Sequence, residues 1–276
     1  FSKYGRRVDA LVLDVDETLR SAGRTDNEIP RETLHLLTEL HESGLPIVIC
    51  TGQPLENVKG FMIQGLGTGL VHSGRFSVVY EAGTGVFTPG HGPDTKRLLY
   101  EGLDEPVREV FSRVRSRVLT DASPALRRCV HLQGNEFNVT LKPNFDVGTD
   151  DAERVIDRGL VHLIDLLGRA VAESVADDRG GDDTATDDDR AATWARAYYA
   201  DVDPEIAEVL DAEGATPGRG VGDVPEPVRE RFDRIDVAYY RADAAEIGSL
   251  VLAKPTGGRA ARDVLSGEEP TVLVMG

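Results

Sequence analysis

Cysteine, lysine and aromatic residues are all scarce in this chain. Its two cysteines, Cys50 and Cys129, cannot build a disulfide framework, and no His/Cys cluster has zinc-ligand spacing. A reducing, cytoplasmic location is the simplest expectation. No run of 18 or more apolar residues occurs, so no helical membrane span is expected. No basic segment followed by an apolar stretch marks a secretory signal. Only five of the 31 basic residues are lysines (Lys3, Lys59, Lys96, Lys142 and Lys254), which makes each one a position to inspect. Against those bases stand 48 acids, a net charge of −17. Such an excess argues against nucleic acid as a partner, because a phosphate backbone requires basic patches. The acids are spread along the whole chain rather than gathered in one segment. That distribution favours a salt-adapted surface, where hydrated carboxylates replace lysine and salt screens their repulsion, over the other reading, a disordered acidic interaction segment.

The apolar residues show where the order lies. Residues 8–15 are apolar almost throughout and end in acids, as a buried parallel strand does. Leu34, Leu37 and Leu40 follow at helical spacing, with Pro30 before them and Gly44 after. Pro46–Cys50 reads as a second buried strand ending at Thr51-Gly52, residues 54–65 as a helix, and Ser77–Tyr80 as a third strand. Strand, helix, strand, helix, strand is the rhythm of a doubly wound α/β sheet. Beyond residue 83 the rhythm changes. Helices are expected over 105–118 and 151–175, with a hairpin of strands 128–133 and 136–142 turning at Gly134-Asn135. The acidic stretch 177–190 and the Gly/Pro-rich stretch 213–227 read as loops. Strands are expected at 235–240 and 247–253, a short helix at 258–266, and a last buried strand at 271–276.

In open α/β sheets, sites form beyond the carboxyl ends of the strands. Asp14 and Asp16 stand at the end of the first strand and Thr51 at the end of the second. Carboxylates spaced i, i+2 point the same way on extended chain and could hold a divalent cation through oxygen, as Mg²⁺ requires. One carboxylate could attack phosphorus, and the other could protonate the leaving oxygen and later deprotonate water. Phosphoryl transfer needs mainly positioning and charge neutralisation. Backbone N–H groups after Asp14, the Thr51 hydroxyl and a lysine are the candidate suppliers.

The segment Asp14-Val15-Asp16-Glu17-Thr18 resembles the first motif of the haloacid dehalogenase superfamily, in its phosphatase branch. The resemblance implies Asp14 as nucleophile, Asp16 as acid/base and Thr18 as support for the turn. It implies Mg²⁺ held by the Asp14 carboxylate and the Asp16 backbone carbonyl. Ile47–Gly52 is similar to the second motif, which implies that Thr51, with Gly52 beside it, contacts phosphate. Lys254 is the candidate for the third motif, although it lies three or four residues ahead of the expected helix. Val272–Gly276 resembles the strand and glycine of the fourth motif, whose acids are expected beyond Gly276, so that the chain reads as truncated. Residues 1–83 and 246–276 are then the Rossmann-like catalytic core, and 84–245 an inserted α+β cap of the C2 type. The implied substrate is a small phosphorylated metabolite, a sugar phosphate or a phosphoglycolate-like acid, with no membrane partner. A phosphosugar mutase, a protein phosphatase and a non-catalytic binding relative are the rival readings, and the long insertion counts against the protein phosphatase.

Other residues carry less. His35 and His41 sit on a predicted helix and read as surface or core-edge residues. His131, Asn135, Asn138 and Lys142 lie in the predicted hairpin, where substrate contact is one reading. Gly65, Gly67 and Gly69 make a loose glycine-rich stretch that does not follow a strand, which weakens a nucleotide-loop reading.

Overall fold

The computed structural model describes residues 2–3, 6–16, 18–19, 29–59, 72–91, 97–98, 105–180, 188–217, 224–250, 254–265 and 271–275. Glu17, the glycine-rich stretch 65–69, residues 181–187 of the acidic run, and Gly276 lie outside them. The chain divides into two compact units, one of residues 1–102, 134–136 and 252–276, the other of residues 103–133 and 137–251.

The first unit contains β1 (Ser2–Lys3), β2 (Arg6–Arg7), β3 (Ala10–Leu13), α1 (Arg31–Glu42), β4 (Ile47–Cys50), α2 (Leu55–Val58), β5 (Phe76–Tyr80), β6 (Gly85–Phe87) and β7 (Arg97–Leu98). Strand β12 (Val272–Met275) belongs to the same sheet, and the helix Lys254–Val264 precedes it. The sheet runs β12-β3-β4-β5-β6-β7. Its first four strands are parallel, and β6 and β7 continue it antiparallel. Both faces of β3, β4 and β5 are covered, which is why these strands are almost wholly apolar, whereas β12, expected as a buried strand, leaves Val274 and Met275 exposed. Leu11, Leu13, Ile47, Ile49, Phe76, Val78 and Tyr80 pack with Leu37, Leu55 and Val58 on one face. Val12, Val48 and Val79 pack with Ala260 and Ala261 on the other. This is the expected doubly wound α/β layout with a mostly parallel sheet.

The second unit contains α3 (Glu105–Arg117), α4 (Pro124–Cys129), β8 (Val130–Leu132), β9 (Val139–Pro143), α5 (Thr149–Asp178), α6 (Asp188–Val202), α7 (Pro204–Ala212), α8 (Glu226–Phe232), β10 (Ile235–Tyr240) and β11 (Ala244–Ser249). The Lys254–Val264 helix of the first unit is therefore α9. The four strands form an antiparallel sheet in the order β10-β11-β9-β8. Val139, Leu141, Ala245 and Ile247 are buried, and α5 packs on β9 and β11. A Cβ placed on Gly168 of α5 would stand 2.3 Å from the Ala191 carbonyl oxygen of α6, so this glycine sets how closely the two helices approach.

Several boundaries differ from the sequence expectation. The first unit extends past residue 83 because β6 pairs with β5, and the second extends past 245 because β11 pairs with β10 and β9. Residues 128 and 129, expected to open a strand, instead end helix α4, which starts early because the Ser123 hydroxyl accepts the Leu126 N–H and Pro124 fits the first turn. Asp188 and Asp189, read as loop, occupy the first turn of α6, where acids suit the helix dipole. Glu226 likewise opens α8 rather than closing a loop.

His41 is 3% exposed near the end of α1. Burial, and after it the charge of Arg75, holds its imidazole below the usual histidine range. The unfolded chain takes up this proton near pH 6.5 while the folded chain resists it. The unfolded state therefore binds more protons below that pH, and stability is lost as pH falls through it. In thermal melts between about pH 7.5 and about pH 5.5, the wild type is expected to lose more stability than His41→Leu; parallel losses would contradict this. Gly168→Ala is expected to destabilise by about 1–3 kcal/mol through overpacking, despite alanine's better helix propensity of about 1 kcal/mol. Denaturant titration checks this, and an unchanged midpoint would refute it.

Candidate active site

The parallel register brings the strand ends level. Leu13 pairs with Ile49 and Met275, and Ile49 pairs with Val78. Asp14 follows Leu13 directly, while β4 and β5 run on through the Cys50–Val79 pair, so that Thr51 leaves the sheet at the same edge. Strand β3 is also where the order reverses, with β4 and β5 on one side and β12 on the other. This is the switch point at which α/β sheets open a crevice.

Asp14 follows β3 directly and is half-buried. Its N–H donates to the Met275 carbonyl at 2.9 Å, which carries the β12 pairing one residue further. Its Oδ1 accepts the Val15 N–H at 2.7 Å. The Thr18 and Leu19 N–H groups donate to the Val15 carbonyl at 3.3 and 2.9 Å, and the chain turns there. Asp16 and Thr18 are half-buried in this turn.

Thr51 follows β4 and is 2% exposed. Its Oγ1 accepts the Gln53 N–H at 3.1 Å. Gly52 is exposed, and a Cβ there would meet nothing within 4 Å, so the space beside it is open. Gln53 joins the two strand ends, for its Nε2 donates to Asp16 Oδ2 at 2.8 Å. Asn57 Nδ2 in turn donates to Gln53 Oε1 at 2.9 Å.

The residues after β5 brace this loop. Glu81–Gly83 form a single 3₁₀ turn in which Glu81 and Ala82 have φ of 44° and 53°, a left-handed conformation that costs non-glycine residues energy. The Glu81 N–H donates to the Gln53 carbonyl at 3.1 Å and the Ala82 N–H to the Thr51 carbonyl at 3.0 Å. Glu81 is fully buried, and its carboxylate accepts the Glu136 N–H at 2.6 Å. Burial, followed by the charges of Glu136 and Glu81, raises the Tyr80 phenol above its usual range.

Lys254 is the first residue of α9. The helix therefore begins at the lysine and not at residue 258, with Pro255 in its first turn, where proline is favoured. The Lys254 side chain lies outside the described residues. Helix α9 packs on the Glu81–Gly83 turn, β4 and β5. Of the lysines whose side chains are described, Lys59 pairs with Glu56 at 2.9 Å and Lys142 with Asp243 at 3.2 Å.

The donors available to a cation at the β3 end are oxygens, the Asp14 carboxylate and the Asp16 backbone carbonyl. They suit Mg²⁺, which binds few protein oxygens and keeps several waters. Among the described residues no group of three or more His, Cys, Asp or Glu side chains could hold a metal ion. No helix among them is long and apolar enough to cross a membrane.

The second unit gathers its own polar side chains on one sheet. His131 and Lys142 are cross-strand partners, and His131 stacks on Phe145 at 5.5 Å. Thr140 Oγ1 and Asn138 Nδ2 donate to Glu246 at 2.5 and 3.1 Å. Burial raises the Glu246 carboxyl above its usual range, and these two hydrogen bonds oppose the shift. Asn135 is buried within the short 134–136 segment of the first unit. Gln53, Asn57, Glu81 and Glu246 had no assigned role in the sequence. Only Gln53 carried a local signal, as an amide directly after Thr51-Gly52.

Residues 11–72 match the model of a family described as haloacid dehalogenase-like hydrolase. No curated protein matches the chain in sequence. Among solved structures, a haloacid dehalogenase-like hydrolase from Bacteroides thetaiotaomicron is 11% identical with a TM-score of 0.49, over 98% of this chain and 82% of that one. The sucrose-phosphatase of a Synechocystis species, solved with sucrose and phosphate, is 12% identical with a TM-score of 0.42, over 98% and 75%. The IMP-bound IMP-nucleotidase of Plasmodium falciparum is 14% identical with a TM-score of 0.46, and this chain spans 98% of itself but 59% of that protein. Residues 11–72, which carry the Asp14-Val15-Asp16 turn and the Thr51-Gly52 strand end, are thus similar to the haloacid dehalogenase-like hydrolases.

Proposed function

We propose that the chain is a Mg²⁺-dependent phosphomonoester hydrolase working through an aspartyl-phosphate intermediate. Its substrate is a small phosphorylated metabolite, a sugar phosphate or a phosphoglycolate-like acid. The observation that carries the reading is the pair Asp14 and Asp16 leaving the central strand at the sheet's switch point, with Gln53 from the neighbouring strand end bonded to Asp16.

In this reading an Asp14 carboxylate oxygen attacks phosphorus and the bond from phosphorus to the ester oxygen breaks. The Asp16 carboxyl gives its proton to the departing oxygen, releasing the alcohol. Water then attacks the phosphorus of aspartyl phosphate while the Asp16 carboxylate takes its proton. Asp14 is restored and inorganic phosphate leaves. Backbone N–H groups of the turn after Asp14 and the Thr51 hydroxyl are the donors toward the phosphoryl oxygens, aided by Lys254. The Asp14 carboxylate and the Asp16 carbonyl would hold Mg²⁺, which would supply neutralisation of the phosphoryl charge. The second unit, residues 103–133 and 137–251, serves as the cap module that selects the substrate. The acidic surface adapts the protein to salt, and its place of work is the cytoplasm.

The protein is expected to release phosphate from p-nitrophenyl phosphate with Mg²⁺ and to stop when the metal is chelated. Asp14→Asn is expected to lower kcat by at least about a thousandfold, as loss of a nucleophile does. Assays run from low to molar salt check both. Full activity in Asp14→Asn, or no release by folded wild type at any salt, would overturn the reading.

A further inference from the structure

We infer that Gln53 is a positioning residue for Asp16, one that keeps Oδ2 as an acceptor so that the transferable proton sits on Oδ1. The inference rests on the phosphatase reading above. A glutamine amide has one donor end and one acceptor end. The acceptor end, Oε1, receives the Asn57 Nδ2 hydrogen bond at 2.9 Å. That leaves the donor end, Nε2, on Asp16 Oδ2 at 2.8 Å. An oxygen that accepts this N–H does not also present a proton to it. The acid's proton therefore resides on the other oxygen, and the same amide orientation serves when Asp16 is ionised as the base. With the amide reversed, two acceptor oxygens would face each other in the ionised state, so this arrangement alone suits both halves of the reaction.

The Gln53 backbone is fixed on both sides, which lets a flexible side chain act as a brace. Its N–H donates to Thr51 Oγ1 at 3.1 Å. Its carbonyl accepts the Glu81 N–H at 3.1 Å from the left-handed turn. The left-handed Glu81 and Ala82 are the residues whose N–H groups meet the carbonyls of residues 53 and 51. Asn57 stands at the start of α2, where its own N–H donates to the Pro54 carbonyl at 3.1 Å. A chain of contacts runs from α2 through Gln53 to the general acid. Asn57 and Gln53 are exposed or half-buried, where water competes for such bonds and limits what they add to stability, which leaves orientation as their main effect.

The test compares two leaving groups. An aryl phosphate, p-nitrophenyl phosphate, departs as a stable phenolate and needs little protonation. An alkyl phosphate, glycerol 2-phosphate, departs as an alkoxide and needs the acid. The quantity kcat/KM covers steps only through formation of aspartyl phosphate, so the later attack by water drops out of the comparison. Gln53→Ala is expected to lower kcat/KM for glycerol 2-phosphate about a hundredfold, the scale of lost general-acid catalysis, and for p-nitrophenyl phosphate by less than about fivefold. Asn57→Ala, at an exposed position, should shift the same ratio in the same direction by a smaller factor, and it carries the test should Gln53→Ala fail to fold. Equal losses on both substrates, or no loss on either, in folded variants would overturn the inference while leaving the phosphatase reading intact. A folded wild type that turns over neither substrate would overturn that reading and this inference with it.

Discussion

The parallel pairing of β12, β3, β4 and β5 is the constraint on which the rest depends. Pairing Leu13 with Ile49 and Met275, and Ile49 with Val78, leaves no freedom in where the next residues emerge. A slip of one residue would turn Leu11 and Leu13 toward α9 and Val12 toward α1, reversing two packed faces at once. The hydrophobic effect that buries both faces of β3, β4 and β5 therefore also fixes the level of Asp14 and Thr51. Chemistry at the sheet edge inherits its precision from packing within the sheet.

Hydrogen bonds carry that precision the last few ångströms. Three loops leave the sheet, one after each of β3, β4 and β5, and each is tied to the next. Asp16 accepts from Gln53, and the carbonyls of Thr51 and Gln53 accept from Ala82 and Glu81. The energetic cost of the left-handed Glu81-Ala82 pair is held in place by the burial of Glu81 and by its bond from Glu136. Strain of this kind persists only where surrounding structure over-determines it.

Much of this was legible in the sequence. Strands β3, β4, β5 and β12 announce themselves because both of their faces are apolar, and the acids after β3 stand out against that background. Leu34, Leu37 and Leu40 mark α1 for the same reason, by covering one face of the sheet. Gln53 and Glu81 were not legible as partners of the site. The Asp16–Gln53 bond joins residues 37 apart in sequence, and nothing local predicts a left-handed glutamate. The sequence expectation sets Lys254 ahead of a helix at 258–266, yet the helix begins at the lysine and runs through Gly257 and Gly258. Asp188 and Asp189 were read as solvated loop by composition, although acids are also what a helix start favours.

The central claim is that Asp14 becomes covalently phosphorylated during turnover. Rapid acid quench of the protein with a phosphomonoester substrate and Mg²⁺, followed by peptide mass spectrometry, tests it directly. The account predicts a hydroxylamine-labile phosphoryl group on the peptide that carries Asp14. Phosphate release without any phosphorylated peptide, or with the label on another residue, would contradict it.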